Sequence, residues 1–235
     1  METCFTMEGQ LMISIFTCSY NKTNYVCDAI QSVINQTYQD WELWILENSN
    51  FIFIKDKIKN FIGMQNQEIK NKINYEDINV DEKRRKEIYT ESWLKNIYFE
   101  KANGNKIMVL SDDDILFPNC LKAHAEHIDK KITYHSIQCR KESSGWIGCF
   151  ENKIIYDGVG LNYPGCNIDG GAICFEKELL KHLPQPWFPV DWKTAATSDA
   201  EFMNKLVKLD KFYPVADKNP LSLKRMTPLS IHQKG

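Results

Sequence analysis

Apolar and polar positions along this 235-residue chain fall into short blocks, and the spacing within each block sets the element it predicts. Leu11 to Phe16 is apolar except for Ser14, which predicts a buried strand, and a polar loop from Thr17 to Asn24 follows. From Tyr25 onward Val26, Ala29, Ile30, Val33 and Ile34 recur at helical spacing. Trp41 to Leu46 reads as a second strand, ending at Glu47-Asn-Ser-Asn50, and Phe51 to Phe61 resumes the helical pattern. Glu68 to Asn74 is a weaker strand candidate, and Asp81 to Ala102 predicts one long helix stopped by Asn103-Gly104. Lys106 to Leu110 is then a third strong strand. Strands alternating with helices predict an α/β fold with a mostly parallel central sheet flanked by helices on both faces.

Beyond Pro118 the rhythm changes. A helix is expected from Leu121 to Ile128, two strands and their loop from Thr133 to Tyr156, and a glycine-rich loop from Gly158 to Gly171. Gly171 to Phe175 predicts a further strand and Asp199 to Lys208 a last helix. With no repeat and no low-complexity linker, residues 1–235 read as one domain: about 11–118 as a nucleotide-binding half and about 119–235 as a substrate-binding half.

Charge and cysteine usage narrow the partners. Lys and Arg total 29 against 31 Asp and Glu, a formal net charge of −2, so nucleic acid is an unlikely partner. The basic run Lys83-Arg-Arg-Lys86 sits among Asp81, Glu82 and Glu87, as on a solvated helix face. The eight cysteines (Cys4, Cys18, Cys27, Cys120, Cys139, Cys149, Cys166, Cys174) form no CxxC pair, which points to a reducing, cytoplasmic setting without a disulfide framework. Cys120, His124 and His127 share one predicted helix with no second ligand pair, so a structural zinc is not expected. No signal-peptide pattern is visible, and no apolar run is long enough to span a bilayer.

The chemistry concentrates at Ile107-Met-Val-Leu-Ser-Asp112-Asp113-Asp114-Ile-Leu-Phe-Pro118. A buried strand here delivers three adjacent carboxylates at its C-terminal end, where open α/β sheets bind their ligands. Like charges so close repel unless a cation relieves them, and hard oxygen donors suit Mg²⁺ or Mn²⁺ with substrate phosphates. Two other strand ends would lie nearby, Thr17 to Asn21 and Glu47 to Asn50. Tyr20 can stack on a flat heterocycle, and Glu47 and Asn48 can hydrogen-bond its polar edge.

Taken in order, these segments resemble family 2 glycosyltransferases of the GT-A fold, in particular those of the bacterial spore-coat polysaccharide type. The resemblance rests on Ser19-Tyr-Asn-Lys22, Ser32-Val-Ile-Asn-Gln-Thr-Tyr-Gln-Asp-Trp-Glu42, Leu46-Glu-Asn-Ser-Asn50, Ala102-Asn-Gly-Asn-Lys-Ile107 and Ser111-Asp-Asp-Asp-Ile-Leu-Phe-Pro118. It continues through Ser198-Asp-Ala-Glu-Phe202, Phe212-Tyr-Pro214 and Arg225-Met-Thr-Pro-Leu-Ser-Ile-His232, and so covers nearly the whole chain.

The resemblance implies an inverting enzyme of polysaccharide biosynthesis that moves a sugar from a UDP- or dTDP-sugar to a carbohydrate or other hydroxyl acceptor. It implies that Tyr20 lies against the base, with Cys18 beside it, and that Asn48 stands where relatives usually place an Asp. Arg85, or its neighbour Arg84, matches a basic residue reaching the nucleotide. Asp112 is implied at the ribose and with Asp113 at the metal, while Asp114 caps the next helix or supports the pair. Asp199 matches the catalytic base, Asp169 and Gly170 line the acceptor side, and His232 is a candidate to close over the diphosphate.

Two other functions compete. One is a catalytically weak nucleotide-sugar-binding module of the same fold, suggested by Asn48 and Ser111 where many relatives carry acids. The other is a metal-dependent nucleotidyltransferase, which would want a glycine-rich phosphate loop that Thr17 to Asn24 does not supply.

Overall fold

The structure, a computed structural model, describes residues 11–22, 25–141, 145–150, 168–215 and 219–226. In chain order the elements are β1 (Ile13–Ser19), α1 (Val26–Ile34), β2 (Trp41–Glu47), α2 (Ile52–Gly63), α3 (Gln67–Asn71) and β3 (Ile73–Asp77). Next come α4 (Glu82–Glu87), α5 (Thr90–Tyr98), β4 (Lys106–Val109), β5 (Ile115–Leu116) and α6 (Cys120–Ala125). The remainder are β6 (Ile132–Tyr134), β7 (Ile137–Lys141), β8 (Gly145–Phe150), β9 (Ile173–Glu176), α7 (Ser198–Leu206), β10 (Phe212–Pro214) and β11 (Ser222–Met226).

Seven strands form the main sheet in the order β10-β6-β9-β4-β1-β2-β3. β4, β1, β2 and β3 run parallel, whereas β9 runs antiparallel to both β4 and β6. A smaller sheet, β5-β11-β7-β8, completes the fold.

The pleat explains how the sheet carries helices on both faces, because successive side chains in a strand point to opposite sides. Phe16, Trp44, Leu46, Ile107, Val109, Ile173 and Phe175 enter one core with Leu94 of α5 and Phe202, Met203 and Leu206 of α7. Ile13, Ile15, Trp41, Leu43, Ile45, Met108 and Cys174 enter the other with α1, α2 and α6. Strands buried on both faces read as near-continuous apolar runs, which is how β1, β2 and β4 appear in the sequence.

Several boundaries differ from the sequence expectation. β1 continues past Phe16 to Ser19, since Thr17, Cys18 and Ser19 remain in register with Ile45, Leu46 and Glu47. The strand expected at Glu68 to Asn74 is instead the helical turn α3 followed by β3. Asn66 starts that turn by accepting a hydrogen bond from Ile69 N at 2.9 Å. The single helix expected from Asp81 to Ala102 is split at Ile88, whose backbone is extended (φ −129°, ψ 150°). There Tyr89 N donates to Val190 O at 2.6 Å, a tertiary bond that replaces the helical one. α6 stops at Ala125, short of Ile128, and β9 begins at Ile173 after a 3-10 turn over Gly170–Ala172. Most of the loop from Gly158 to Gly171 lies outside the described residues, as do Cys4, Cys166 and His232.

Candidate active site

The ends of β4, β1 and β2 lie side by side, so the residues after each strand meet in one place. Asp112 and Asp113 are almost fully buried there. Lys22 lies between them, its Nζ 3.1 Å from Asp112 Oδ1 and 2.7 Å from Asp113 Oδ2. Tyr20 N also donates to Asp112 Oδ2, at 3.1 Å. Burial pushes the Asp112 carboxyl up to about 7, with Asp113 adding to the effect and Lys22 opposing it. Burial and Asp113 push Asp114 up to about 8. Burial thus favours the protonated form of Asp112 and Asp114 unless a cation lies against them.

A groove beside the cluster is lined by Cys18, Tyr20, Asn48, Arg85, Asp112 and Trp192, among others. Arg85 places its guanidinium 4.4 Å from the Tyr20 ring centroid and donates from Nη1 to Asn48 Oδ1 at 2.7 Å. A second bond, from Arg85 Nη2 to the Asn48 carbonyl, completes a two-point clamp. Arg84 points away, over Trp93 at 5.2 Å, which settles which of the two arginines faces the groove. Asn48 Nδ2 donates to Ser19 O at 2.9 Å, so its oxygen faces Arg85 and any ligand must share it. Trp192, unforeseen in the sequence, donates from Nε1 to Arg85 O at 2.7 Å and leaves half its surface exposed. Glu47 does not line the groove. It is wholly buried beneath it, where Oε1 accepts from Ser49 N at 2.6 Å and shapes the turn after β2.

On the other side of the carboxylates is a cleft of about 250 Å³ that also contains Asp169, Gly170 and Asp199. Asp199 lies in the first turn of α7, with its side chain 43% exposed. It accepts a bond from Lys95 Nζ at 3.0 Å, and Lys95 reaches Glu91 Oε1 at 2.7 Å. Asp169 starts the 3-10 turn by accepting from Gly171 N at 2.9 Å and pairs with Lys224. The groove and the cleft share Cys18, Lys22, Tyr89, Glu91 and Asp112, so they form one continuous trough.

β11 closes one wall of this trough. Arg225 N donates to Asp114 Oδ1 at 3.0 Å, its Nε donates to Asp113 O, and its Nη1 reaches Asp28 Oδ2 at 2.8 Å. Asp114 therefore anchors β11 and does not cap the following helix, where Asn119 is the N-cap and its side chain accepts from Thr37 Oγ1 at 2.9 Å instead of capping.

Other motif residues act as internal ties. Gln36 bonds Phe117 O at 2.8 Å and Leu121 N at 2.9 Å, holding the segment after the aspartates against α1. Glu42 accepts from Ser14 Oγ at 2.6 Å and from Asn103 N at 2.7 Å. That arrangement fixes the Asn103-Gly104 turn before β4, and a β-carbon on Gly104 would lie 2.6 Å from Met12 O.

Among the described residues two places bring side chains of metal-binding type together. The first is a buried group of Cys120, His124 and His135, with His127 turned away to Ala123 O. Thr133 Oγ1 donates to Cys174 O, so it accepts from His124 Nδ1 at 2.7 Å. His124 Nε2 then accepts from His135 Nδ1 at 2.9 Å, and His135 Nε2 accepts from Ser222 Oγ, also at 2.9 Å. Cys120 Sγ is 3.8 Å and 4.0 Å from the two nitrogens of His135. In this arrangement the residues are joined as a buried hydrogen-bond chain. The second place, Asp112 with Asp113, offers two adjacent carboxylates at a strand end, and these hard oxygens fit Mg²⁺ or Mn²⁺.

Comparison with known proteins gives the family and the fold. A family model described as glycosyl transferase family 2 matches residues 14–148. Protein CgeD of Bacillus subtilis strain 168 is 29% identical over 212 residues, a match covering 86% of this chain and 48% of CgeD. The chain thus spans about half the length of that curated relative. The S. aureus TarS 1-349 structure in complex with UDP-GlcNAc superposes with a TM-score of 0.62 at 15% identity, covering 96% of this chain and 61% of TarS 1-349. The mannosyltransferase PcManGT from Pyrobaculum calidifontis, in complex with GDP-Man and Mn²⁺, gives a TM-score of 0.62 at 12% identity, with coverages of 95% and 59%. At these identities the two superpositions establish the GT-A fold. Among the described residues no helix is long and apolar enough to cross a membrane.

Proposed function

The chain belongs to glycosyl transferase family 2, and from that premise we propose that it transfers a sugar, with inversion, from a UDP- or dTDP-sugar to an acceptor hydroxyl. The observation that carries this reading is the single trough joining the Tyr20–Arg85 groove, the Asp112–Asp113 pair and Asp199. A nucleoside end fits the aromatic groove: Tyr20 and Trp192 offer flat apolar surface, and Arg85 and Asn48 offer polar edges. Asp112, which lines both groove and cleft, would meet the ribose.

Asp113, with Asp112, would hold a divalent cation, which when bound supplies positive charge against the leaving diphosphate. Lys22, already between the two carboxylates, supplies part of that charge from the protein itself. Arg225 keeps β11 closed over the Asp113–Asp114 backbone.

Asp199 faces the same cleft from α7 and takes the proton of the acceptor hydroxyl. The acceptor oxygen then bonds to the anomeric carbon as the bond from that carbon to the diphosphate oxygen breaks, and the electron pair leaves with the diphosphate. Configuration inverts in one displacement. Asp169 and Gly170 border the acceptor side, and the first half of the chain holds the donor while the second receives the acceptor. The negative formal charge favours a carbohydrate or other uncharged hydroxyl compound over a nucleic acid.

A thermal-shift screen of UDP-, dTDP-, GDP- and CDP-sugars with Mn²⁺ tests the donor assignment. Stabilisation by the uracil or thymine donors is expected. Stabilisation by GDP-sugars alone would overturn it.

A further inference from the structure

The most unusual group bordering the trough is Lys95. Its side chain is only 1% exposed, yet it lies on α5 between two carboxylates from different elements. Glu91 Oε1 is 2.7 Å from its Nζ and Asp199 Oδ1 is 3.0 Å away. Tyr89 donates its hydroxyl to Glu91 Oε2 at 2.7 Å, so Glu91 is itself held. Phe188 lies against the ammonium, 4.9 Å from ring centroid to Nζ.

An isolated buried ammonium is costly, and one with a single carboxylate partner is stranded whenever that partner takes up a proton. Here the partner exposed to the cleft is Asp199, the group assigned to accept a proton. Glu91 provides the second charge that keeps Lys95 paired while Asp199 is neutral. The cluster thus allows a proton to arrive at Asp199 and leave again without exposing an unpaired buried charge at any stage.

We propose that Lys95 is a positioning residue for the catalytic base: it fixes the Asp199 carboxylate in the cleft, and Glu91 sets how strongly it does so. The inference rests on the reading of Asp199 as the base. Lys95 pulls on Asp199 through charge and a hydrogen bond, and Glu91 competes for that pull. Removing Lys95 therefore makes Asp199 easier to protonate, and neutralising Glu91 makes it harder. Besides these two, the titratable and charged groups facing the cleft among the described residues are Tyr89, Cys18 of β1, the Asp112–Asp114 cluster with Lys22, the Asp169–Lys224 pair and Arg225 of β11. None of them is altered in the two variants.

The test is the pH dependence of UDP release from the UDP-sugar that gives the largest thermal shift, with water as acceptor. Lys95→Met should move the acid limb of the rate profile to higher pH, and Glu91→Gln should move it to lower pH, each by about one unit. Lys95→Met should leave donor affinity within about twofold, since Lys95 lines neither the groove nor the cleft. Loss of rate at every pH with unmoved limbs, or limbs shifting in the same direction, overturns the proposal. If Lys95→Met does not fold, Glu91→Gln decides alone, because the amide keeps the size and the Tyr89 bond: an unmoved limb overturns the inference. Failure of the underlying reading shows separately, as Asp199→Asn releasing UDP at the wild-type rate.

Discussion

A β-carbon on Gly170 would stand 2.5 Å from Asp199 Oδ2, so the bare backbone at residue 170 is what admits the carboxylate to the cleft. Gly170→Ala should therefore displace the start of α7, because Asp199 Cβ would also be crowded at 2.9 Å. A shift of a few tenths of an ångström up to an ångström at a reacting group costs up to about 100-fold in rate. Turnover should fall by about that factor, with a stability loss of about 1–3 kcal/mol from overpacking and with nucleotide affinity retained. Gly171→Ala is the control, since its β-carbon would meet nothing closer than 3.3 Å.

Metal removal should uncouple nucleotide from the fold. In Mn²⁺, UDP at about 100 times its dissociation constant should add about 2.7 kcal/mol to stability, and excess EDTA should abolish most of that gain. Asp113→Asn should abolish it as well while leaving the nucleotide-free protein folded, because removing one charge from a crowded acidic cluster relieves repulsion. Equal stabilisation in EDTA and Mn²⁺ would place the nucleotide independently of any cation.

The histidine chain predicts a pH dependence of stability. Burial pushes His135 down to about 4 and His124 well below its ordinary value. In the unfolded chain both protonate near pH 6.5, so their contribution is complete above that pH and is lost as pH falls towards 4. For His135 alone the loss amounts to about 3 kcal/mol over that interval. Asp112 and Asp114, pushed up by burial, act in the opposite direction, so the comparison to make is with His135→Gln. On acidification from pH 7 to pH 4.5, denaturant unfolding should show the variant losing less stability, or gaining more, than the wild type. Identical slopes would mean that His135 does not titrate on unfolding.

Much of the frame was legible because β1, β2 and β4 are buried on both faces, and such strands show as unbroken apolar runs ending in polar residues. The Asp112–Asp114 cluster was legible for the same reason: three acids after a buried strand leave few structural roles. What escaped depends on contacts distant in sequence. The break at Ile88 comes from a bond to Val190, about a hundred residues away, and helical periodicity carries no sign of it. Lys95 sits in a stretch whose pattern marks it as an ordinary helix lysine, and only Asp199 on α7 reveals its burial. Trp192 gave no signal of its own in a loop of prolines and small residues. Glu47, read as a ligand contact from its place after β2, faces the interior because β2 continues one residue further than its apolar run.

The most direct test of the account is a comparison of Asp199→Asn with the wild-type protein in two assays on the same preparation, donor binding by thermal shift with Mn²⁺ and sugar transfer measured as nucleoside diphosphate release. Asn keeps the shape of the side chain and its place in the first turn of α7, and Lys95 keeps Glu91 as its partner. The account predicts unchanged donor binding and a rate reduced by roughly 10²–10⁴, the contribution of a positioned general base. Transfer at near the wild-type rate by Asp199→Asn would contradict it and remove Asp199 from the chemistry.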